Sequence, residues 1–172
     1  ALLSNQGMAH LMGGKNPTRV GNAHTSIVPY QVFPASDGHF VIACGNDGQF
    51  TALCQMLGME GVAQDPEYAT NPARVRHRDV LCPMIAARTS LRTKADLIAA
   101  LEASGVPGGP INTVAEALAE PQVEARGMKI APEGLAGLRT PIAFSRSPLV
   151  LDKAGPLLGN GTWAFRSRRT EA

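Results

Sequence analysis

Two short, mostly apolar runs of β-forming residues predict a β-hairpin in the first quarter of the chain. The runs "YQVFPA" and "HFVIACG" are both rich in Val, Ile, Phe and Tyr, and the sequence "SDG" separates them. An Asp-Gly turn between two such runs is a strong local hairpin signal. We therefore expect Tyr30–Pro34 and His39–Cys44 to pair antiparallel.

Apolar residues at helical spacing predict a first helix directly after this hairpin. Asp47 is the expected N-cap, and Gly58 is the expected end. The inward face of the helix consists of four apolar residues, which are Phe50, Leu53, Cys54 and Leu57.

A second helix is predicted after the loop "DPEYATNP". Asn71 is its expected N-cap, and Pro72 takes the first helical position, which tolerates proline. The residues expected to face inward are Val75, Val80, Leu81 and Ile85. The arginines expected on the exposed face are Arg74, Arg76, Arg78 and Arg88.

A third helix is predicted from a capping-box-like start, in which Thr93 precedes Asp96 by three residues. Its apolar stripe is Leu97, Ile98 and Leu101, and Gly105 ends it. The following "GGP" is expected to form an extended piece or turn. A further helix is expected to begin at Thr113, before a turn at Pro121.

The ends of the chain carry weaker patterns. Leu2–Met12 is short and apolar and is interpreted as the end of a helix, and Gly13–Pro29 as a linker or loop. After Met128, short apolar runs broken by Pro and Gly indicate β or extended structure. The polar, basic end "GNGTWAFRSRRTEA" is expected to be a frayed tail. This order of elements predicts an α+β domain with helices packed on one face of an antiparallel sheet.

Composition narrows the class of protein. Apolar residues make up 44% of the chain, enough for a core, whereas charged residues make up only 17%. So low a fraction of charged residues suggests that a partner chain or domain covers part of the surface. The net charge of +2 is too small to indicate nucleic-acid binding. No apolar run approaches the roughly 20 residues that span a bilayer, so we expect no membrane association.

The cysteines carry no sign of a metal site. Cys44, Cys54 and Cys82 are odd in number and lack metal-ligand spacing, and two of them lie in apolar runs. Buried thiols in a reducing cytoplasm are the favoured interpretation. We therefore expect a cytoplasmic protein that binds no metal.

The stretch "RVGNAHTSIVPYQVF" has the composition of a functional loop. It places Asn22, His24, Thr25 and Ser26 close together, immediately before the first predicted strand. Ser26 and His24 invite comparison with a hydrolase pair, but no G-x-S-x-G elbow surrounds Ser26. Nothing else in the chain completes a catalytic set. The hydrolase interpretation is therefore disfavoured.

Five segments, in the correct order, resemble the class III CoA-transferases, the CaiB/BaiF group. They are "RVGNAHTSIVPYQVFPASDGHFVIACGNDGQFTALCQMLG", "DPEYATNPARVRHRD", "LEASGVPGGPINTVAEALAEPQVEARGM", "RTPIAFSRSP" and "GPLLGNGT", which cover most of Pro17 to Thr162. The family contains enzymes that move CoA between carboxylic acids and also α-methylacyl-CoA racemases.

The resemblance implies a fold larger than this chain. Family members have a large Rossmann-like domain and a small α+β domain, and two chains interlock as a dimer. Residues 1–29 would be the end of a large-domain helix and a linker, 30–132 the small domain, and 133–172 a return segment and tail. One departure is that Gly161 stands before Thr162, where the family usually has His. The chain is thus interpreted as a C-terminal portion that pairs with an N-terminal half-subunit or a second copy.

The resemblance also implies the chemistry and the co-substrate, coenzyme A. In the transferases an aspartate attacks the acyl-CoA carbonyl to form a mixed anhydride, and CoA leaves and returns to activate an acceptor acid. That aspartate lies upstream of the equivalent of Ala1, so we expect no catalytic residue in this chain. Two alternatives stay open, a portion of an α-methylacyl-CoA racemase and a non-catalytic half-subunit that binds a partner.

The residues of this chain that the resemblance places at the active site form a wall. His24, Thr25 and Ser26 align with a loop that covers the reacting thioester in formyl-CoA transferases, and a backbone N–H or the Ser26 hydroxyl would steady an oxyanion. Asn22 belongs to the same loop, and Tyr30 would point its hydroxyl at the acyl group.

Two further interpretations concern Asp47 and the basic run. Asp47 matches an acidic residue of the racemases, although an N-cap role is favoured over that match. The arginines around His77 would suit the phosphates of CoA. A solvated helix face is nevertheless favoured, because the family places CoA on the other domain.

Overall fold

The computed structural model describes residues 3–14 and 16–159. The chain divides into two compact units between Ile111 and Asn112. The predicted frayed tail, apart from its first residue, and the departure at Gly161 lie outside the described residues. The predicted segments 1–29, 30–132 and 133–172 stay a prediction, because they concern how this chain joins the rest of a larger enzyme.

The first unit is an α+β arrangement of six helices and three strands among its described residues. The predicted helix end and the hairpin are both present, and the helices follow in the expected order. The elements are α1 Ser4–Gly13, β1 Tyr30–Ala35, β2 Gly38–Ala43, α2 Asp47–Met56, α3 Glu60–Gln64, α4 Asn71–Arg76, α5 Arg78–Thr89, α6 Lys94–Ser104 and β3 Gly108–Pro110.

The antiparallel hairpin is confirmed, although its two-residue loop is Ser36 and Asp37 and not Asp-Gly, because Gly38 already pairs with Ala35. Tyr30 lies opposite Ala43, and Phe33 lies opposite Phe40. Because register partners face the same side of a sheet, Phe33 and Phe40, both fully buried, place one face of the hairpin in the core. The turn signal and the β-forming composition of the two runs therefore predicted this element, apart from the exact position of the turn.

The "GGP" stretch forms a third strand. It pairs antiparallel with β2, so that Phe40 lies opposite Pro110. A Cβ on Gly108 would lie 2.6 Å from Leu101 Cδ1 and 2.7 Å from the Val41 carbonyl oxygen. Glycine is therefore required where β3 passes between its neighbouring strand and α6.

The core lies between the sheet and the helices. α5 packs against β1, whereas α6 packs against α2, β2 and β3. One apolar cluster contains the sheet residues, the inward faces of three helices, and all three cysteines. Burying these side chains, at about 25 cal/mol per Å² of apolar surface, is the main contribution to the stability of the unit.

Several predicted details of the helices are wrong by one residue or one face. Asn46, and not Asp47, caps α2, since its side chain accepts a hydrogen bond from the Gln49 N–H. Thr70, and not Asn71, is the N-cap residue of α4. The single helix expected after it is two, because α4 ends and α5 begins around His77.

This break at His77 changes which residues face inward. Leu81 and Ile85 are buried as expected, but Val80 is 54% exposed. Arg74, predicted on the exposed face, is completely buried. The helical spacing of apolar residues does not continue across a helix break. An inward face that is inferred for one continuous helix is therefore wrong for some residues of the two shorter helices.

The third predicted helix is confirmed at both ends. Thr93 Oγ1 accepts from the Asp96 N–H at 3.2 Å. Gly105 follows the helix in the left-handed region, with φ of 67°. Because this conformation is strained for residues with a Cβ, glycine is the suitable C-cap.

The second unit consists of short elements. Thr113 begins the first helix with a complete capping box to Glu116. Pro121 begins a further helix, where a turn was expected. None of the residues 112–159 is buried. The elements are α7 Val114–Ala119, α8 Pro121–Ala125, β4 Lys129–Ile130 and β5 Gly137–Leu138, with a 3₁₀ turn at Pro132–Gly134.

Candidate active-site wall

The polar segment before β1, which we call the site loop (residues 22–29), is ordered by contacts with the strand that follows it. The His24 N–H donates to the Tyr30 carbonyl oxygen at 2.9 Å. The His24 and Tyr30 rings stack, with centroids 5.2 Å apart and planes 18° from parallel. Asn22 Oδ1 accepts from the Val32 N–H at 3.0 Å. Three of the six predicted wall residues are therefore connected through the beginning of β1.

The site loop borders a cleft of about 770 Å³ in the first unit. Residues of α1 line one side, and His24, Thr25 and Ser26 line the other. This volume lies in the range of small-molecule sites. Thr25 and Ser26 are exposed, so their hydroxyl groups are available to a ligand in the cleft.

A smaller cavity of about 500 Å³ lies against other residues of the loop. Asn22 lines it, together with Gln31 of β1 and Arg78 of α5. The six predicted wall residues therefore do not form one surface. His24, Thr25 and Ser26 share the larger cleft, while Asn22 borders the smaller cavity.

Side chains from α4 and α5 form hydrogen bonds with the backbone of the site loop. Arg78 Nη2 donates to the carbonyl oxygens of His24 and Thr25, at 2.6 and 3.1 Å. Asn71 Nδ2 donates to the Ser26 carbonyl oxygen at 2.8 Å, and Asn71 Oδ1 accepts from the Val28 N–H at 3.1 Å.

Arg74 ties the end of the loop into the core. Its Nε donates to the Val28 carbonyl oxygen at 2.7 Å, and its Nη1 donates to the carbonyl oxygens of Tyr68 and Ala69 at 3.0 and 3.2 Å. Its guanidinium lies over the Phe50 ring, 4.3 Å from the centroid. These contacts satisfy the buried charge, as burial of an arginine requires.

Asp47 completes this network and lies apart from the larger cleft. Its Oδ1 accepts from Arg74 Nη2 at 2.7 Å and from the Asn71 N–H at 3.0 Å. Its side chain is 56% exposed. Asp47 thus connects the start of α2 to α4, while part of its carboxylate remains open to solvent.

The three cysteines are unsuited to nucleophilic catalysis. All are buried. Burial raises the pKa of the Cys44 thiol to about 11 and that of Cys54 to about 12, and burial also raises the pKa of Cys82. Because the thiolate is the reactive form, these thiols are inert at neutral pH.

The described residues contain neither a metal-binding cluster nor a membrane-spanning helix. No group of three or more His, Cys, Asp or Glu side chains is arranged to hold a metal ion in residues 3–14 and 16–159. Within the same ranges, no helix combines the length and apolar character needed to cross a bilayer.

Comparison with known proteins identifies the family to which these features belong. The model of CoA-transferase family III matches residues 1–162. The chain belongs to this family. The resemblance inferred from the five segments is confirmed.

Relatives in CoA-transferase family III include well-defined enzymes. The chain is 46% identical over 164 residues to a succinate–glutarate CoA-transferase from Agrobacterium fabrum, covering 92% of this chain and 41% of the relative. It is 35% identical over 167 residues to the human succinyl-CoA:glutarate CoA-transferase, covering 94% of this chain and 38% of the relative. The chain therefore spans about two fifths of the length of these relatives.

A solved structure of the family supports the fold. A CaiB/BaiF family protein from Brucella suis superposes with a TM-score of 0.83 at 51% identity. The match covers 97% of this chain and 44% of that protein. The α+β architecture inferred from the sequence is therefore that of a known family III structure.

Sequence reasoning missed Arg74, Asn71 and Arg78, the residues that hold the site loop. The basic run was interpreted as a solvated face. One signal was available, since Arg74 and Arg78 precede Leu81 and Ile85 at intervals of four, three and four residues. Arginines at positions in phase with an apolar stripe indicate buried or half-buried charges that need partners.

Proposed function

We propose that this chain is the C-terminal part of the subunit of an acyl-CoA:carboxylate CoA-transferase. The observation that carries the proposal is the 46% identity to the A. fabrum succinate–glutarate CoA-transferase across 92% of this chain. Since both acids in that name are short dicarboxylates, we propose the same class for the donor and acceptor acids here. The family relationship supports acyl-CoA as the co-substrate.

The proposed nucleophile is an aspartate in a part of the subunit outside this chain. Its carboxylate oxygen attacks the thioester carbonyl carbon, the C–S bond breaks, and CoA leaves as the thiolate. The thiolate then attacks the aspartyl carbonyl carbon of the mixed anhydride, which forms an aspartyl-CoA thioester and releases the donor acid as its carboxylate. The acceptor carboxylate attacks this thioester, which forms a second mixed anhydride and releases the thiolate again. The thiolate finally attacks the acyl carbon of the acceptor, which gives the new acyl-CoA and frees the aspartate carboxylate. Every bond broken is replaced by an equivalent bond, so no external energy source is needed.

The proposed role of the site loop is to cover the reacting group. Mixed anhydrides hydrolyse in water, so a wall that excludes solvent protects the intermediate. Thr25 and Ser26 supply hydroxyl donors, and the N–H groups of Thr25 and Ile27 have no acceptor among the described residues. Donors of this kind stabilise a developing oxyanion. Asn22, Tyr30 and Asp47 are proposed as outer parts of the same wall.

The proposal predicts a requirement for the rest of the subunit. Succinyl-CoA and glutarate should give glutaryl-CoA and succinate with the full-length subunit, followed by liquid chromatography of the CoA esters. The 172-residue chain alone should give no turnover above the uncatalysed rate. Robust transfer by this chain alone would contradict the placement of the nucleophile.

The alternatives give different outcomes in the same samples. A racemase would exchange the α-proton of a 2-methylacyl-CoA with deuterated water and would need no acceptor acid. A non-catalytic half-subunit would co-elute with the N-terminal part in size-exclusion chromatography but would show no transfer. A homodimer that transfers CoA is the result we expect.

A further inference from the structure

We propose that Asn71 and Arg78 are positioning residues for the reaction, which hold the site loop by its carbonyl oxygens and thereby set the geometry of the wall. This inference rests on the proposed function. It adds two residues on α4 and α5 to the functional unit, and neither was predicted to belong to it.

The first step is the pattern of acceptors along the loop. Of the five carbonyl groups from His24 to Val28, four accept hydrogen bonds from side chains. Arg78 serves His24 and Thr25, Asn71 serves Ser26, and Arg74 serves Val28. The donors lie 45 to 54 residues further along the chain. The course of the loop therefore depends on contacts with helices that are distant in sequence.

The residues of the site loop that border the cleft are not fixed by packing in the core. Thr25 and Ser26 are exposed, and His24 and Ile27 are only half-buried. Val28 and Pro29, by contrast, are buried and are anchored by the core. His24 is held from one side by Tyr30, whereas the carbonyl groups of residues 24–26 are held by Asn71 and Arg78. Without these carbonyl contacts, the exposed residues 25 and 26 would sample more conformations.

The third step separates these two residues from the ligand. The larger cleft is lined by His24, Thr25 and Ser26 but not by Asn71 or Arg78. The two side chains therefore act on a ligand there through the loop backbone. Thr25 and Ser26, which line the cleft, carry hydroxyl donors, and such donors suit a carboxylate or an oxyanion.

The geometry of Arg78 argues against a purely local role. Both of its hydrogen bonds to the loop come from Nη2, while Nη1 is buried without a partner among the described residues. A buried, unpartnered guanidinium nitrogen is unfavourable for stability. Holding two consecutive carbonyl groups of the site loop is the function that this arrangement serves.

The test compares R78M and N71A in the full-length subunit with R88M as the matched control. Arg88 lies on the same helix, exposed and away from the loop. For R78M we expect kcat for transfer from succinyl-CoA to glutarate to fall by about 10-fold or more, because small misplacements are costly in rate. KM should change by less than about two-fold. R78K, which keeps the charge and can reach a carbonyl oxygen, should recover part of the loss.

Hydrogen–deuterium exchange on the same samples tests the clamp without reference to activity. The peptide covering the site loop should exchange faster in R78M and N71A, while the β1–β2 hairpin and α6 should be unchanged. Unchanged loop exchange would overturn the proposal, as would faster loop exchange with unchanged kcat. Faster exchange throughout the first unit would assign Arg78 a general structural role instead and would also overturn it.

The two proposals fail in different ways. If the wild-type subunit transfers no CoA, the proposed function is wrong, and loop exchange still decides whether Asn71 and Arg78 hold the loop. If the wild type transfers CoA but R78M matches R88M in kcat and in exchange, only the positioning role is wrong.

Discussion

The two compact units of this chain contain similar local signals but differ completely in burial. The first unit has a continuous core, in which Phe40, Ile42, Leu53 and Leu81 are fully inaccessible. The second has no buried residue in 112–159, and large apolar side chains are exposed there. They are Val114, Leu135, Leu138, Ile142, Phe144, Val150, Leu157 and Leu158.

This difference shows that capping and turn residues are sufficient to form single helices and strands. A hydrophobic core requires, in addition, that several such elements pack on one another. The second unit has a complete capping box at Thr113, yet its helices contain six and five residues and its strands two each. Elements of this length cannot cover one another. The prediction that residues 133–172 return to the large domain of a family III subunit stays a prediction.

The largest expected change in stability is at a buried phenylalanine of the first unit, compared with an exposed phenylalanine of the second. Phe40→Ala, at a fully buried position, should lower the free energy of unfolding by about 3–5 kcal/mol through lost burial and a cavity. Phe144→Ala, at a position 57% exposed in the second unit, should change it by less than about 0.5 kcal/mol. Urea unfolding of the chain, followed by circular dichroism, measures both. Equal effects would contradict the division into a packed and an unpacked unit.

The next effect concerns one ion pair in each unit. Arg74→Met should cost about 3 kcal/mol, because it removes the buried cation and leaves the carbonyl groups that Arg74 serves without donors. Lys129→Met breaks the pair with Glu124, in which both side chains are about half exposed, and should cost less than about 1 kcal/mol. Thermal melting of the two variants provides the measurement. A loss at Lys129 as large as that at Arg74 would show that the second unit holds its charges in a dry environment.

A smaller effect is expected from the helix caps. Thr93→Ala removes the cap of the eleven-residue α6, which buries Leu97 and Leu101, and should cost about 1 kcal/mol of unfolding free energy. Thr113→Ala removes a complete capping box, but from a helix with no buried residue. It should leave the unfolding midpoint nearly unchanged and accelerate amide exchange only in 114–119. A matching loss of global stability would mean that α7 unfolds together with the core.

The smallest effect at neutral pH, and one confined to the first unit, involves the thiols. With pKa values raised by burial to about 11 for Cys44 and about 12 for Cys54, the native state keeps protons that the unfolded chain releases near 9.0. Stability is therefore fully present below pH 9 and should fall as the pH rises from 9 towards 11. Urea midpoints at pH 7 and pH 10 measure the change. Cys44→Ala with Cys54→Ala should flatten it, and an equally steep decline in that double variant would exclude the thiols as its cause.

Predictions from the sequence succeeded where the signal was contiguous. The Tyr30–Cys44 hairpin follows from a turn signal between two runs rich in β-forming residues, and α6 follows from Thr93 and Gly105 at its two ends. The same reasoning failed around His77, where two helices replaced the one expected. There the outcome depended on Arg74, which finds its partners at Val28, Tyr68, Ala69 and Asp47.

The candidate site divides in the same way. The polar loop with His24, Thr25 and Ser26 was recognisable from its own composition and from the family resemblance. Its attachment to Asn71 and Arg78 was not, since hydrogen bonds between residues 45 to 54 positions apart leave no periodic pattern. Asp47 was also given the wrong cap role, because both Asn46 and Asp47 are good N-cap residues.

The sequence by itself determined the family, the order of elements, the hairpin and the location of the site loop, because each depends on residues close together along the chain. Only the tertiary structure decided that Arg74 is buried, that α4 and α5 hold the loop by its carbonyl oxygens, and that the apolar residues of the second unit stay exposed. A side chain's environment is set by the elements that pack around it. A charge or an apolar group therefore acquires its role only when distant segments meet.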